Sequence, residues 1–261
     1  MNDRIPPTNI EQYRRRKRRA GNIRWLLVAL FFLCCTACGY LFSMSPFFEV
    51  EQVVIIGNKQ ASSVRLNILS NIRIGQNIFT VDTAVVERWL MIEPLVETAQ
   101  VERHLPRTIS ITVTERQPAA VLATGQAFVE VDKNGLVLRR MRELDNLVIP
   151  ILSGVSGFPP GVSPGSRIKS AEMDVALTVL NSLPQEDFPT VKEIDVTDSQ
   201  KIKLYIESGI EVRVGGLDDI AEKFLRARGI IYDAQLKGTA SNIGYIDISS
   251  TEKPVVYYLY Q

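Results

Sequence analysis

The stretch FEVEQVVIIGN, residues 48–58, marks where this 261-residue chain starts to fold as a β-structure. Its centre, residues 50–56, is rich in β-branched side chains, which favour an extended strand. Gly57 and Asn58 then supply residues typical of a turn, so the strand is predicted to end there. A folded unit is therefore expected to begin where the apolar run that ends at Phe48 gives way to this strand.

That apolar run covers residues 25–48 and contains no charged side chain over its 24 positions. As a helix rising about 1.5 Å per residue, it is long enough for a hydrocarbon core of about 30 Å. Residues 1–24 balance to a charge of +6, whereas residues 25–261 balance to −5. Because basic residues mark the cytoplasmic end of a span, a single-pass membrane protein is predicted, with a cytoplasmic tail at 1–24, a transmembrane helix at 25–46 and the bulk outside the cytoplasm.

Other interpretations of this region compete with the retained helix. Ala37-Cys38-Gly39 would suit a cleaved signal peptide, and Cys35 to Cys38 loosely resembles a lipobox. The length of the run favours a retained span over both. The basic tail could bind nucleic acid, but beside a span it is more often a topology signal, so no nucleic-acid partner is predicted.

Helix and strand patterns alternate through residues 47–117, which we predict to be the first outer domain. The predicted elements are a strand at 50–56, a helix capped at Ser62 or Ser63 with Val64, Ile68 and Leu69 on its apolar side, a helix from Asp82 or Thr83 to Leu90, and strands at 96–102 and 109–114. The order is β-α-α-β-β, and the last strand alternates apolar and polar residues throughout.

Residues 118–261 are predicted to form a second domain dominated by strands. The predicted elements are a hairpin at 128–138 with a type I′ turn at Asn134-Gly135, an edge strand at 148–152 containing Pro150, a helix at 170–182, strands at 191–196, 201–207 and 210–214, a helix at 217–236, and strands at 243–249 and 254–260. The fold class is therefore α+β.

Several ordered motifs resemble one family. The pattern Phe48-x-Val50-x-x-Val53-x-Ile55-x-Gly57-Asn58 looks like the opening of a POTRA domain, and Arg103-x-Leu105-Pro106-x-Thr108-Ile109 followed by Glu115-Arg116-x-Pro118 looks like its close. Behind a basic tail and one span, the combination is similar to the FtsQ/DivIB family of bacterial cell-division proteins over about residues 23–260. The resemblance implies a POTRA domain, a mostly antiparallel β-domain with helices packed on it, and a non-enzymatic scaffold of the divisome at the septal membrane.

No set of residues indicates catalysis or a cofactor. Residues 161–165 match the G-x-S-x-G pattern, but prolines rather than a strand precede them, and His104, the one histidine, comes before the serine. No metal-ligand or phosphate-binding motif occurs, so no metal, cofactor or small-molecule substrate is predicted. The alternatives left open are a membrane-anchored or lipidated envelope hydrolase and a POTRA-based export component.

The end of the chain is the candidate binding site. Residues 255–260 are apolar on both alternating faces, which suits a strand at the edge of a sheet that pairs with a partner strand; a central, fully buried strand is the alternative. The resemblance implies that these strands bind the outer segment of an FtsB/DivIC-like protein, which pairs with an FtsL-like protein. The candidate partner-binding residues are Tyr245, Asp247, Ser250, Val256, Tyr257 and Tyr258. Ser249 and Pro254 depart from the family pattern, and residues 50–56 are a possible second edge.

Overall fold

The computed structural model describes residues 10–124, 127–144, 148–158, 162–184, 190–250 and 252–259. Helix α1, Ile10–Ser43, contains a 20-residue apolar segment, Arg24–Ser43, that is long enough to cross a membrane. The helix ends before the predicted limit of 46 because Pro46 forces the preceding residue out of helical geometry. Ser45 is accordingly extended, and a short 3₁₀ turn, Pro46–Phe48, follows it.

The first sheet has the predicted order of elements. Its elements are β1 Gln52–Ile56, α2 Ser63–Ser70, α3 Thr83–Leu90, β2 Val96–His104 and β3 Thr108–Glu115. The strands lie in the order β1-β3-β2, so β1 is at an edge, as the sequence suggested. The inward positions of β3 are Ile109, Ile111 and Val113, each at most 3% exposed, which is the face that the alternation predicted.

Helix α2 buries a different face from the one expected. Val64 and Ile68 are 69% and 72% exposed, whereas Leu66 and Ser70 are buried. Both pairs are four residues apart, so the helical period fits either face. Packing against the rest of the unit selects the face with Leu66, so the prediction is wrong for Val64 and Ile68, while Leu69 is half-buried.

The carboxylate of Glu115 organises the segment before α2. It accepts hydrogen bonds from the backbone N–H groups of Lys59, Gln60 and Ala61 at 2.7–3.0 Å. Burial by itself raises the pKa of the Glu115 carboxyl, but the hydrogen bonds from Ala61, Lys59 and Gln60 outweigh it and leave the pKa below its ordinary value of 4.5. The end of β3 therefore holds the turn that leads into α2.

Glu115→Gln is expected to lower the free energy of unfolding of this unit by about 1–2 kcal/mol at pH 7, because a neutral amide accepts these bonds less well and offers them an N–H₂ group. A carboxyl whose folded pKa is depressed stabilises the fold above its unfolded pKa and loses that effect as the pH falls through the folded value. The gap between wild type and Glu115→Gln should therefore close in acid. Urea unfolding followed by Trp89 emission, in a Trp25→Phe background at pH 7 and below pH 4.5, measures it. A gap that stays constant with pH would contradict the charge-based role.

The second domain has nine described strands in one sheet and two longer helices. Its elements are β4 Ala120–Ala123, β5 Phe128–Val131, β6 Val137–Met141, β7 Ile151–Ser153, α4 Ala171–Ser182, β8 Val191–Asp195, β9 Ile202–Ile206, β10 Glu211–Gly215, α5 Ile220–Leu236, β11 Ile243–Asp247 and β12 Val255–Tyr258. The strand order is β12-β11-β10-β9-β8-β7-β4-β5-β6. Five of the eight pairings among these described strands are antiparallel, and α4 and α5 contribute Met173, Phe224 and Ile231 to the core. The α+β class with a mostly antiparallel β-domain is confirmed.

Two local predictions in this domain are wrong. The strand near Pro150 was predicted at an edge but lies in the middle of the sheet. This position is possible because Pro150 lies just before β7 and takes part in the sheet only through its carbonyl, which accepts a hydrogen bond from the N–H of Val121. At the hairpin, Gly135 has a positive φ of 75° but Asn134 does not, so the turn is not type I′. Instead the side chain of Asp132 accepts from the N–H groups of Asn134 and Leu136 at 2.8 and 2.9 Å. This side-chain capping of the backbone stabilises the turn.

Candidate functional site

The last strand, β12, lies at the edge of the second sheet. It pairs with β11 in antiparallel register, with Tyr245 opposite Tyr257 and Ile246 opposite Val256, and none of the other described strands pairs with its outer side. Its side chains remain open to solvent: Val255, Tyr257 and Tyr258 are 44–53% exposed. The structure thus selects the edge position over the central, buried one.

The backbone of β12 alternates between its neighbour and its free side. The N–H of Leu259 donates to the carbonyl of Asn242 at 2.7 Å, so it faces the β11 side. Because successive residues of a strand point their hydrogen-bonding groups to opposite sides, the N–H groups of Tyr258 and Val256 face outward. An incoming strand would meet these two positions first.

Two tyrosines stack on the face of the sheet away from the core. The rings of Tyr245 and Tyr257 lie 5.0 Å apart at an angle of 9°, and the guanidinium carbon of Arg213 is 3.7 Å from the centre of the Tyr245 ring. Glu211 accepts a hydrogen bond from Nε of Arg213 at 2.8 Å, which raises the pKa of that guanidinium above its ordinary value although burial opposes it. The stack holds Tyr257, and with it β12, against β11.

The other predicted residues have distinct places. Asp247 ends β11 and accepts from the N–H and hydroxyl of Ser249 at 2.9 and 2.6 Å, so it shapes the turn that leaves the strand. Ser250 is an exposed residue of the connection to β12. Val256 is half-buried and packs against the core, which ties the edge strand to the domain. Thus Asp247 and Val256 position the edge, while Tyr257 and Tyr258 are available on it.

Sequence reasoning missed Arg213 and the row of side chains that it contacts through Tyr245. Cross-strand pairing places Tyr205, Glu211, Tyr245 and Tyr257 side by side on β9 to β12. Beside this row lies a cavity of about 390 Å³ lined by Lys203, Arg213, Asp247 and Ser249 among others. The alternation in β9 and β10 signalled that these side chains face away from the core, but the parallel pairing of β10 with β11 that joins them has no local signal.

The structure does not bring the G-x-S-x-G serine, Ser163, and His104 into a described contact. Ser163 lies in a turn in which its carbonyl accepts from the N–H and hydroxyl of Ser166 at 3.0 and 2.6 Å, and Gly161 of the G-x-S-x-G pattern is outside the described residues. His104 is an exposed residue at the end of β2, 3.7 Å from Glu102. Within the described ranges, no group of three or more His, Cys, Asp or Glu side chains is placed to hold a metal.

Two family models match the chain. Residues 48–116 match the model described as POTRA domain, FtsQ-type, and residues 120–249 match the one described as cell division protein FtsQ/DivIB, C-terminal. The cell division protein FtsQ of Syntrophotalea carbinolica is 30% identical over 236 residues, covering 88% of this chain and 82% of that protein.

Two further relatives show the same breadth. FtsQ of Myxococcus fulvus is 30% identical over 206 residues, covering 78% of this chain and 71% of its own length. The cell division protein DivIB of Clostridium botulinum is 26% identical over 252 residues, covering 95% of this chain and 96% of its own. These similarities extend over both sheets.

Among the described residues, one N-terminal apolar helix is long enough to cross a membrane, and a POTRA domain and a large β-domain follow it; this combination defines a single-pass membrane protein. The chain belongs to the FtsQ/DivIB family of cell-division proteins. The resemblance drawn from the motifs at residues 48–118 is confirmed, and with it a role in the division machinery.

Proposed function

We propose that this protein is a non-enzymatic scaffold of the divisome that binds an FtsB/DivIC-like partner by β-addition to β12. The supporting observation is the edge strand itself: its outer backbone has no partner among the described strands, while its exposed side chains are Val255, Tyr257 and Tyr258. An added strand would satisfy the outward N–H and C=O groups, and the side chains would set its register.

The Tyr245–Tyr257 stack prepares β12 for this contact. Because Arg213 and Tyr245 hold Tyr257 in place, the strand loses little conformational freedom when a partner pairs with it. Aromatic side chains are also favoured in the cores of interfaces. An FtsL-like protein would join through its coiled coil with the FtsB/DivIC-like partner.

The placement in the cell follows from the anchor. We propose that residues 1–24 lie in the cytoplasm and that both sheets lie outside it, at the division septum, since the basic residues flank one end of the span. In this arrangement the protein holds its partners close to the membrane and performs no chemistry on them.

Tyr258→Ala and Tyr258→Pro distinguish the contribution of the side chain to β-addition from that of the backbone N–H. Alanine removes the ring but keeps the outward N–H, whereas proline removes both, and neither touches the bonds to β11 that alternation assigns to Tyr257 and Leu259. Binding to the outer segment of an FtsB/DivIC-like protein should weaken about tenfold in Tyr258→Ala and about tenfold more in Tyr258→Pro. Titration of the full chain in nanodiscs measures both affinities.

Tyr258→Phe is the matched control, because it keeps the ring and the N–H and should bind within about threefold of wild type. Equal affinities for Tyr258→Ala and Tyr258→Pro would contradict β-addition at this residue. Unchanged binding in all three variants, with the circular dichroism of wild type, would place the interface away from β12.

A further inference from the structure

The membrane helix passes into the first folded unit with almost no linker. α1 ends at Ser43, and the N–H groups of Met44 and Ser45 still donate to the carbonyls of Tyr40 and Phe42 at 3.2 and 3.0 Å. Nδ2 of Asn77 donates to the carbonyl of Ser43 at 2.6 Å and so satisfies one of the unpaired carbonyls at the helix end. The loop that carries Asn77 is therefore fastened to the end of the span.

Four phenylalanines continue this attachment. Phe42, on the last turn of α1, stacks on Phe47 at 6.0 Å and meets Phe48 edge-on at 5.3 Å, and Phe48 contacts Phe79 at 5.1 Å between ring centres. α1, Asn71–Val86 and Val101–Ile111 belong to one compact unit. Even so, Phe42, Phe47 and Phe79 are 44–59% exposed, so the cluster does not form a closed core.

The position of the cluster relative to a bilayer follows from the length of the span. The 20 residues Arg24–Ser43 rise about 30 Å as a helix, which is the thickness of the hydrocarbon core. Phe42 then lies at the boundary of that core, and Phe47 and Phe79, linked to it through ring contacts, lie within the headgroup zone beyond it. Phenylalanine and leucine side chains on membrane-surface segments insert at the boundary between the headgroups and the acyl chains.

Further exposed side chains border the same place. Arg107 donates to the carbonyl of Phe47 at 3.1 Å, its guanidinium lies 5.8 Å from the centre of the Phe47 ring, and it pairs with Glu51. Leu105, two residues earlier, is 58% exposed, and Ile74, next to the Gly75 that bonds to Val50, is 66% exposed. We call Phe47, Ile74, Phe79, Leu105 and Arg107 the membrane collar.

We propose that the membrane collar rests in the headgroup region of the leaflet at the C-terminal end of α1, with its apolar side chains against the upper acyl chains and Arg107 beside lipid phosphates. The occupant of this apolar surface is the bilayer because the surface is continuous with a helix that already crosses it. The first unit is then held at a fixed height by three attachments: the helix end, the Asn77 bond and the collar. This inference is independent of binding at β12.

Lipid-borne quenchers test the membrane collar in the full chain. In a background with Cys34, Cys35 and Cys38 replaced by Ala, a single cysteine at Phe79 or Leu105 is labelled with the fluorophore NBD, and the protein is placed in phosphatidylglycerol nanodiscs that contain 5-doxyl lipid. Phe79→Cys and Leu105→Cys should lose most of their fluorescence relative to quencher-free nanodiscs. Ile56→Cys is the control: Ile56 is a 52% exposed apolar residue and the last residue of β1, and five residues of extended chain, or about 16 Å, separate it from the collar neighbour Glu51.

The comparison of the sites decides the outcome. Loss of emission at Phe79 and Leu105 with little loss at Ile56 supports the collar. Emission at Phe79 and Leu105 that resists 5-doxyl lipid but falls with a water-soluble quencher overturns it, and so does equal quenching at all three sites. Because the three positions are solvent-exposed, their labels should leave the circular dichroism unchanged, which verifies that the fold is intact.

Discussion

Replacing Lys223 with alanine is expected to lower the free energy of unfolding of the large β-domain by about 3 kcal/mol. Lys223 lies in the first turns of α5, and its side chain is fully buried. Its Nζ donates to the carbonyl of Gly216 and to Asp218, both at 3.0 Å. Truncation removes three buried methylene groups at about 0.8 kcal/mol each and the hydrogen bond to the Gly216 carbonyl, worth about 1 kcal/mol; the bond to the exposed Asp218 is replaced by water.

Lys223→Met separates packing from charge. Methionine keeps most of the buried length and also removes the cost of desolvating an ammonium group, so this variant should lie within about 1.5 kcal/mol of wild type. Asp218 is 72% exposed and returns to water without its partner, although the hydrogen bond from Lys223 now lowers the pKa of its carboxyl. Asp218→Asn should accordingly destabilise the domain much less than Lys223→Ala.

Hydrogen exchange of the full chain in nanodiscs measures these effects locally, through the opening free energies of peptides from β9, β10 and α5. A loss in Lys223→Met as large as that in Lys223→Ala would show that the ammonium group, rather than the stem, dominates. Unchanged exchange in Lys223→Ala would contradict the structural role altogether.

Gly57→Ala is expected to destabilise the POTRA domain by about 2–5 kcal/mol. Gly57 follows β1 with a φ of 91°, where a side chain costs about 1–2 kcal/mol. A Cβ there would also lie 2.2 Å from the carbonyl oxygen of Val113, a backbone atom that cannot rotate away. Relieving that contact requires β1 and β3 to separate, which costs about a further 1–3 kcal/mol of folding free energy, the size seen for overpacking.

Gly75→Ala is the matched control for Gly57→Ala. Gly75 has nearly the same φ, 87°, but a Cβ there would meet nothing within 4 Å. Its cost should be limited to the conformational strain of about 1–2 kcal/mol. Urea unfolding followed by Trp89 emission compares the two variants, and equal midpoints would show that the contact with Val113 is relieved at no cost.

Much of the fold could be predicted from patterns confined to single elements. The uncharged run before Phe48 identified the span, the alternation of Ile109, Ile111 and Val113 identified the buried face of β3, and the motif ending in Gly57 identified the POTRA domain and the family. Each of these depends on residues close together in the chain. The short strand β4, at Ala120–Ala123, escaped because four consecutive small or apolar residues have no period.

The candidate site was predictable in part. The apolar residues at the end of the chain indicated an edge strand, and the structure places β12 there. Arg213, which holds the tyrosine stack, was not predicted because it contacts Tyr245, 32 positions away, only after β10 and β11 have paired in parallel. Whether Tyr257 and Tyr258 bind a partner is a matter for the binding experiment.

The N-terminal apolar helix, the order of the elements, the α+β class and the family could all be predicted from local patterns, because hydrophobic period, turn residues and motif spacing act over short distances. Four features depend on tertiary packing instead. They are the buried face of α2, the central position of the strand after Pro150, the burial of Lys223, and the side chains that meet on the outer face of β9 to β12. Burial and strand pairing depend on which distant segment packs against a residue. A local pattern such as Val64 with Ile68 is compatible with more than one such packing, so the pattern does not select the buried face.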